Sequence, residues 1–174
     1  MSNLIAKLLF LPTLCYNILL SKLISGRNWF DKVDATLILG ALPIKSVRNK
    51  LSVNKFVNMC KEWPGPVNEY QSMDIEQLWL ATIDYTCPNL NQINDGVRFI
   101  QKAKESSETV YLHCKAGRGR SATIAVAWLI HSKKMSLDEA QKHLSAIRPH
   151  ISSNLHERQP LIDFALQESN ENTT

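Results

Sequence analysis

A thiol at Cys114 and a guanidinium at Arg120 are separated by Lys115, Ala116, Gly117, Arg118 and Gly119, within the stretch Thr109-Val-Tyr-Leu-His-Cys-Lys-Ala-Gly-Arg-Gly-Arg-Ser121. This spacing fits a one-turn anion cradle. Glycine lets the backbone approach a ligand closely and adopt φ > 0, and successive N–H groups curled ahead of a helix form a concave site for an oxyanion. The ion that suits such a loop is a phosphate. A thiol at its centre, at a helix N-terminus and among cations, is favoured as the thiolate and becomes a nucleophile near neutral pH. No Gly-Lys-Ser/Thr closes the loop, so it is not a nucleotide-binding Walker A sequence.

Such a loop needs a strand before it and a helix after it. Thr109 to His113 is apolar enough for the strand, and Ala122 to Ile130 is almost wholly apolar, which predicts a buried helix. Further strands are expected at Ala35 to Gly40, Lys55 to Cys60 and Gln77 to Ile83, the last ending at Asp84. Leu90, Ile93, Val97 and Ile100 mark an amphipathic helix behind an Asn89 cap. Ser136 and Glu139 form a capping box ahead of Leu137, Ala140, Leu144 and Ile147, with Pro149 as the stop, and a last helix is expected over Pro160 to Leu166. Strands alternating with helices predict an α/β layer architecture, whose ligand sites lie at the carboxyl ends of strands. Asp84 and Cys114 both occupy such ends.

The chain has 174 residues, 44% hydrophobic and 21% charged, enough for one domain with a real core and too few for two. A net charge of +4 and a pI near 8.9 favour anionic partners: acidic lipid, a phosphorylated substrate or, less specifically, nucleic acid. Nucleic acid ranks low, since there is no aromatic-studded basic stripe, zinc-finger spacing or RNP-like pattern. Cys15, Cys60, Cys87 and Cys114 are widely spaced without a C-x-x-C, which indicates a reducing compartment and no zinc site; the first three read as small apolar fillers. Residues 1–27 are rich in Leu and Ile, carry Lys7, Lys22 and Arg27, and have no acid before Asp31. Lys7, Pro12, Asn17 and Ser21 break the run, so it lacks the roughly 20 apolar residues of a spanning helix. A mitochondrial presequence or an interfacial helix fits better; a secretory signal and an ordinary helix packed on the domain are the alternatives. The polar residues 167–174 read as a flexible tail.

His113-Cys114-x5-Arg120-Ser121 between a strand and a helix resembles the signature of the cysteine-dependent phosphatases of the protein tyrosine and dual-specificity superfamily. The similarity runs from about Asn28 to Phe164 and is closest to the mitochondrial phosphatidylglycerophosphate phosphatases of the dual-specificity group. It is carried by Trp29 through Pro43, by Glu76-Gln77-Leu78 with Thr82-Ile83-Asp84, and by His113 through Arg118, while Gly119 stands where a serine is expected. The resemblance implies a protein-tyrosine-phosphatase-like fold of the dual-specificity type, a central mostly parallel sheet flanked by helices over residues 28–166. It implies a phosphocysteine mechanism without metal or other cofactor. Cys114 attacks phosphorus in line while Arg120 and the loop N–H groups hold the equatorial oxygens. The resemblance makes Asp84 the proton donor to the leaving alkoxide and then the base for the hydrolytic water. Ser121 is placed to hydrogen-bond the sulfur, His113 to orient the loop, and Lys115 and Arg118 to favour a substrate with a second phosphate.

Simpler roles stand beside these. Asp84 could be only a turn residue, Ser121 only a helix start, and Asp74 and Asp95 are weaker candidates for the acid. The family's Glu- and Tyr-rich loop has its counterpart in Lys61-Glu62-Trp63, where only Glu62 matches, and packing explains Glu62 and Trp63 as well as a role at the pocket does. The segment between Leu51 and Phe56 is shorter than the family pattern, which could loosen the fold there. The expected activity is hydrolysis of phosphatidylglycerophosphate for cardiolipin synthesis, with the membrane surface as partner, at the matrix face of the mitochondrial inner membrane. A dual-specificity protein phosphatase is the alternative, and a non-catalytic phosphate-binding module a weaker one.

Overall fold

The computed structural model describes residues 10–23, 27–45, 51 and 53–171. Its centre is a five-stranded sheet of β1 (Phe30–Lys32), β2 (Leu37–Gly40), β3 (Lys55–Cys60), β4 (Glu76–Thr82) and β5 (Val110–His113), in the order β1-β2-β5-β3-β4. β2, β5, β3 and β4 run parallel, and β1 adds an antiparallel edge. The helices are α1 (Phe10–Leu23), α2 (Val67–Ser72), α3 (Leu90–Glu105), α4 (Arg120–Lys133), α5 (Leu137–Ile147) and α6 (Gln159–Glu171), with a short 3-10 turn at Leu155–Glu157.

β5 lies in the middle of the sheet, hydrogen-bonded to β2 on one side and β3 on the other, so all four of its residues are buried. A strand covered on both faces reads as a continuous apolar run, as Val110 to Leu112 does. α4 leaves the loop that follows β5 and is buried from Arg120 through Ile130. The predicted capping boxes form at both helix starts: Asn89 with Gln92 on α3 and Ser136 with Glu139 on α5.

Several boundaries differ from the sequence reading. β2 begins at Leu37, not Ala35, because Asp34 Oδ1 accepts the Thr36 and Leu37 amides at 2.8 Å each and turns the chain before the strand. β1 and α2 escape periodicity because each is too short to show one, and α2 contributes only Tyr70 to the interior. α6 runs past Leu166 to Glu171, so the polar tail is helical that far: Glu168 is buried against α4, 2.8 Å from His131 and 3.5 Å from Lys134. Residues 172–174 lie outside the described residues. The short approach to β3 brings no looseness where it is described. Phe56 is buried, stacks on Tyr70 with ring centroids 5.1 Å apart and packs on Tyr111; Ser52 lies outside the described residues.

Within the N-terminal segment, residues 1–9 and 24–26 lie outside the described residues, and 10–23 form α1, which packs on the domain. Phe10 and Leu14 enter the main core, whereas Leu11, Cys15, Leu19 and Leu23, four residues apart along one stripe, are exposed, as is Tyr16. Among the described residues no helix is long and apolar enough to cross a membrane.

Candidate active site

The loop between β5 and α4 is held from behind by its own carbonyls. Lys115 O accepts the Leu42 amide, Arg118 O the Ser152 amide at 2.9 Å, and Gly119 O both the amide and the hydroxyl of Thr123. Arg148 secures the middle. Its guanidinium is almost fully buried and donates to Gly117 O at 2.9 Å and Ala116 O at 3.2 Å, while Nη1 pairs with Asp31 and donates to Asn28 O at 3.0 Å. With carbonyls turned outward, peptide planarity turns N–H groups inward. Gly117 is the position that needs glycine, with φ +68 and the site of an added Cβ only 2.5 Å from Gly40 O. Gly119 has φ −116, which any residue adopts, so the expected serine is missing for no backbone reason.

Cys114 Sγ accepts the Gly117 amide at 3.3 Å and the Ser121 hydroxyl at 3.2 Å. Burial alone would push this thiol up. The charge of Arg120 outweighs it, together with hydrogen bonds from Ser121 and the Arg118 amide, and the thiol comes down to about 7. The thiolate is therefore well populated at neutral pH. His113 is buried, its Nδ1 3.4 Å from the Cys114 carbonyl, and burial lowers it to about 3, so the ring is neutral. It faces the loop backbone, as an orienting residue would.

Arg120 crosses the floor of the site. Nη1 donates to Glu62 Oε2 at 2.9 Å and to Thr82 O at 2.8 Å, and Nη2 lies 2.8 Å from Asp84 Oδ1. That last contact is an ion pair without hydrogen-bond alignment, so Nη2, though buried, keeps a donor for another oxygen. Burial would lower the Arg120 pKa, but Cys114, Cys60, Asp84 and Glu62 raise it further, and the guanidinium stays charged.

Asp84, two residues beyond β4, is the turn residue that the sequence allowed, and its carboxylate also reaches the site. Its Oδ1 accepts the Tyr85 amide at 3.1 Å in a turn, and its Oδ2 pairs with Lys115 Nζ. Lys115 Nζ also stands over the Tyr85 ring, 5.5 Å from its centroid, and the Phe10 ring of α1, 5.9 Å away. Asp74 is exposed in a turn at φ 53, and Asp95 lies on α3 paired with Arg98; neither reaches the loop.

Glu62 emerges as a central residue. Its carboxylate is buried, one oxygen on Arg120 and the other accepting the Asp84 amide at 2.7 Å. It thus ties the guanidinium to the backbone of Asp84. Trp63 packs 6.0 Å from the His113 ring, and its carbonyl accepts Asn58 Nδ2, which anchors the segment after β3. Arg148 and Asp31 were not found by sequence reasoning; an arginine before Pro149 and an acid in the first extended segment carry no local signal of being partners.

Cys114 to Ala116 and Arg118 to Arg120 line a cavity of about 440 Å³ together with Asp84, Tyr85 and Thr86, Ser152 and Arg158, and Thr13, Tyr16 and Asn17 of α1. Gly117 and Ser121 lie behind this surface. A nucleophilic thiol, a free guanidinium donor, inward amides and a carboxylate on one cavity wall can bind a tetrahedral oxyanion and transfer it to sulfur.

The family profile "Dual specificity phosphatase, catalytic domain" matches residues 38–167. The chain is 36% identical over 159 residues to the human phosphatidylglycerophosphatase and protein-tyrosine phosphatase 1, covering 84% of this chain and 79% of that one. It is 34% identical over 169 residues to the Arabidopsis thaliana phosphatidylglycerophosphate phosphatase PTPMT2, covering 94% and 74%. The fold is similar to that of PTPMT1 crystallised in complex with PI(5)P, with a TM-score of 0.75 and 33% identity over 83% of this chain and 99% of that one. With the loop, its flanking strand and helix, and these similarities in agreement, the chain belongs to the dual-specificity phosphatase family of cysteine-dependent hydrolases.

Proposed function

We propose that this protein hydrolyses the terminal phosphate of phosphatidylglycerophosphate, at a membrane surface, through a phosphocysteine intermediate. The observation that carries the chemistry is the convergence of Cys114, Arg120 and Asp84 on one cavity, with the thiol held near neutrality. The Cys114 thiolate attacks phosphorus and the bond to the leaving alkoxide breaks. Arg120 Nη2 and the loop amides hold the equatorial oxygens, and the Arg fork binds two at once. A phosphate seated there competes with Asp84 for Lys115 and Arg120, which frees the carboxyl to carry a proton to the leaving oxygen. In the second half, Asp84 takes a proton from water as its oxygen attacks phosphorus, and Cys114 leaves as thiolate, held by Ser121 and the Gly117 amide. A non-catalytic module would keep the cradle but would need neither the Cys114 nucleophile nor the Asp84 acid.

Two features support a lipid ester over a soluble phosphoprotein: the relatives named as phosphatidylglycerophosphatases, and α1, which lines the cavity on one face and exposes Leu11, Leu19 and Leu23 on the other. An apolar stripe beside a basic cavity suits an anionic bilayer. We place the protein at the matrix side of the mitochondrial inner membrane, with product feeding cardiolipin synthesis. Residues 1–27 fused to a fluorescent protein should deliver it to mitochondria; a diffuse signal would count against that placement. The decisive experiment compares turnover of phosphatidylglycerophosphate, a phosphoinositide and a phosphotyrosine peptide. Preference for the peptide would replace this reading with that of a protein phosphatase.

A further inference from the structure

One wall of the cavity takes no part in the chemistry above. Beside Gly119, Arg158 lines the cavity with Arg118 and Ser152. Arg158 is held in place. Its Nη1 donates to Thr123 Oγ1 at 2.7 Å, and that hydroxyl donates to Gly119 O at 3.0 Å. Its Nη2 lies flush against the loop, 3.5 Å from where a Cβ on Gly119 would stand, with Ser152 Oγ at 3.7 Å from the same point.

The charges of this wall are uncompensated. The two buried guanidinia of the site are paired, Arg120 with Glu62 and Asp84 and Arg148 with Asp31. Arg118 and Arg158 have no carboxylate partner among the described residues; Arg118 instead donates to His150 O at 2.7 Å. Burial, then Arg148 and Arg27, bring His150 down to about 4, so the ring beside Arg118 is neutral. A half-buried guanidinium without an acid, pinned at one nitrogen and open to a cavity, is suited to an incoming anion. The cradle beside it is shaped for one phosphate.

We infer that Arg158, with Arg118 and the Ser152 hydroxyl, forms a second anion subsite that binds a phosphodiester of the substrate while the loop holds its terminal phosphate. Gly119, by lacking a side chain, keeps the passage between the two open. The identity of the substrate rests on the lipid reading above, and the glycerol bridge of phosphatidylglycerophosphate joins a diester to a monoester of this kind.

The test uses soluble esters, so that membrane binding plays no part. Glycerol 3-phosphate carries one phosphate, the deacylated headgroup glycerophosphoglycerol phosphate carries two, and p-nitrophenyl phosphate reports the chemistry alone. The full chain should prefer the two-phosphate ester over glycerol 3-phosphate by about 10- to 100-fold in kcat/KM, the span of a charge-assisted contact. Arg158→Leu should abolish most of that preference by raising KM with kcat unchanged, and should leave p-nitrophenyl phosphate untouched. Arg158→Lys should recover part of it. Arg158→Gln, which keeps a donor for Thr123, serves as the uncharged variant if the leucine variant does not fold. Equal losses on all three esters would overturn the subsite and make Arg158 a brace for the loop; so would a wild-type protein with no preference between the two glycerol esters. Should phosphatidylglycerophosphate in vesicles resist hydrolysis while the soluble preference persists, the lipid reading alone falls. The reverse pattern removes the subsite alone.

Discussion

The floor and the rim of the cavity are built on opposite principles. On the floor, each charged group has a protein partner: Arg120 with Glu62 and Asp84, Arg148 with Asp31 and two loop carbonyls, Asp84 with Lys115. At the rim, Arg118 and Arg158 carry no counter-charge among the described residues, and α1 shows apolar side chains to solvent. A group that must hold one geometry through a reaction is over-determined by its neighbours, because electrostatic stabilisation requires dipoles that do not reorganise. A group that selects among ligands is left open. The floor therefore specifies how a phosphate ester is cleaved, and the rim which ester arrives.

The largest effect should come from the floor. Cys114→Ser is expected to lower turnover by at least about 10⁴-fold while a phosphate ester still binds, since removing a nucleophile leaves the rest of the site intact. Turnover surviving in that variant would break the division at its root. Asp84→Asn should lower hydrolysis of alkyl phosphates by about 10²- to 10⁴-fold and of p-nitrophenyl phosphate far less, because an activated aryl leaving group needs no proton. Equal losses on both would assign the acid elsewhere.

Arg148→Leu should cost about 3–5 kcal/mol of stability, since it leaves the partly buried Asp31 beside no cation and two loop carbonyls without a donor. Denaturant unfolding measures this, and a midpoint equal to that of the wild type would show that the loop does not depend on its buttress. At the rim, replacing Leu11, Leu19 and Leu23 by Gln should weaken sedimentation with anionic vesicles about 10-fold or more, through lost apolar burial, and leave turnover of a soluble ester unchanged. A fall in soluble turnover instead would move α1 from rim to floor.

The smallest effect concerns pH. Alkylation of Cys114 by iodoacetamide should rise with pH through a midpoint of about 7. Because the thiol lies below its ordinary value of 9.0, the stabilisation that comes with the thiolate is present at high pH and lost as pH falls through about 7. Ser121→Ala removes one hydrogen bond to the sulfur and should move the midpoint up by about one unit or less. A midpoint near 9 in the wild type would mean that Arg120 does not act on the thiol as its position implies.

Much of this was legible in the chain. The loop could be read because its chemistry is local: Cys114, Gly117, Arg120 and Ser121 lie within one turn of backbone, and the adjoining strand and helix follow from runs of apolar residues. The capping boxes at Asn89 and Ser136 were readable for the same reason, each being a contact across three residues. Asp84 could be placed at a strand end from the pattern alone, but its role as the acid came only through resemblance. Nothing near it in sequence points to Lys115, 31 residues away, with which its carboxylate pairs.

What the sequence by itself determined is the reaction type, since a thiol, glycines and an arginine at that spacing suit one kind of oxyanion chemistry. What only the tertiary structure decided is the support and the selectivity. Glu62 finds Arg120 from 58 residues away, Arg148 finds Asp31 from 117, and Arg158 comes to rest beside Gly119 through Thr123, 35 residues back in the chain. Such pairings depend on how the layers close around the sheet. Long-range contacts between charged groups have no period in the sequence, whereas the local hydrogen bonds of a loop and the apolar stripes of helices and strands do.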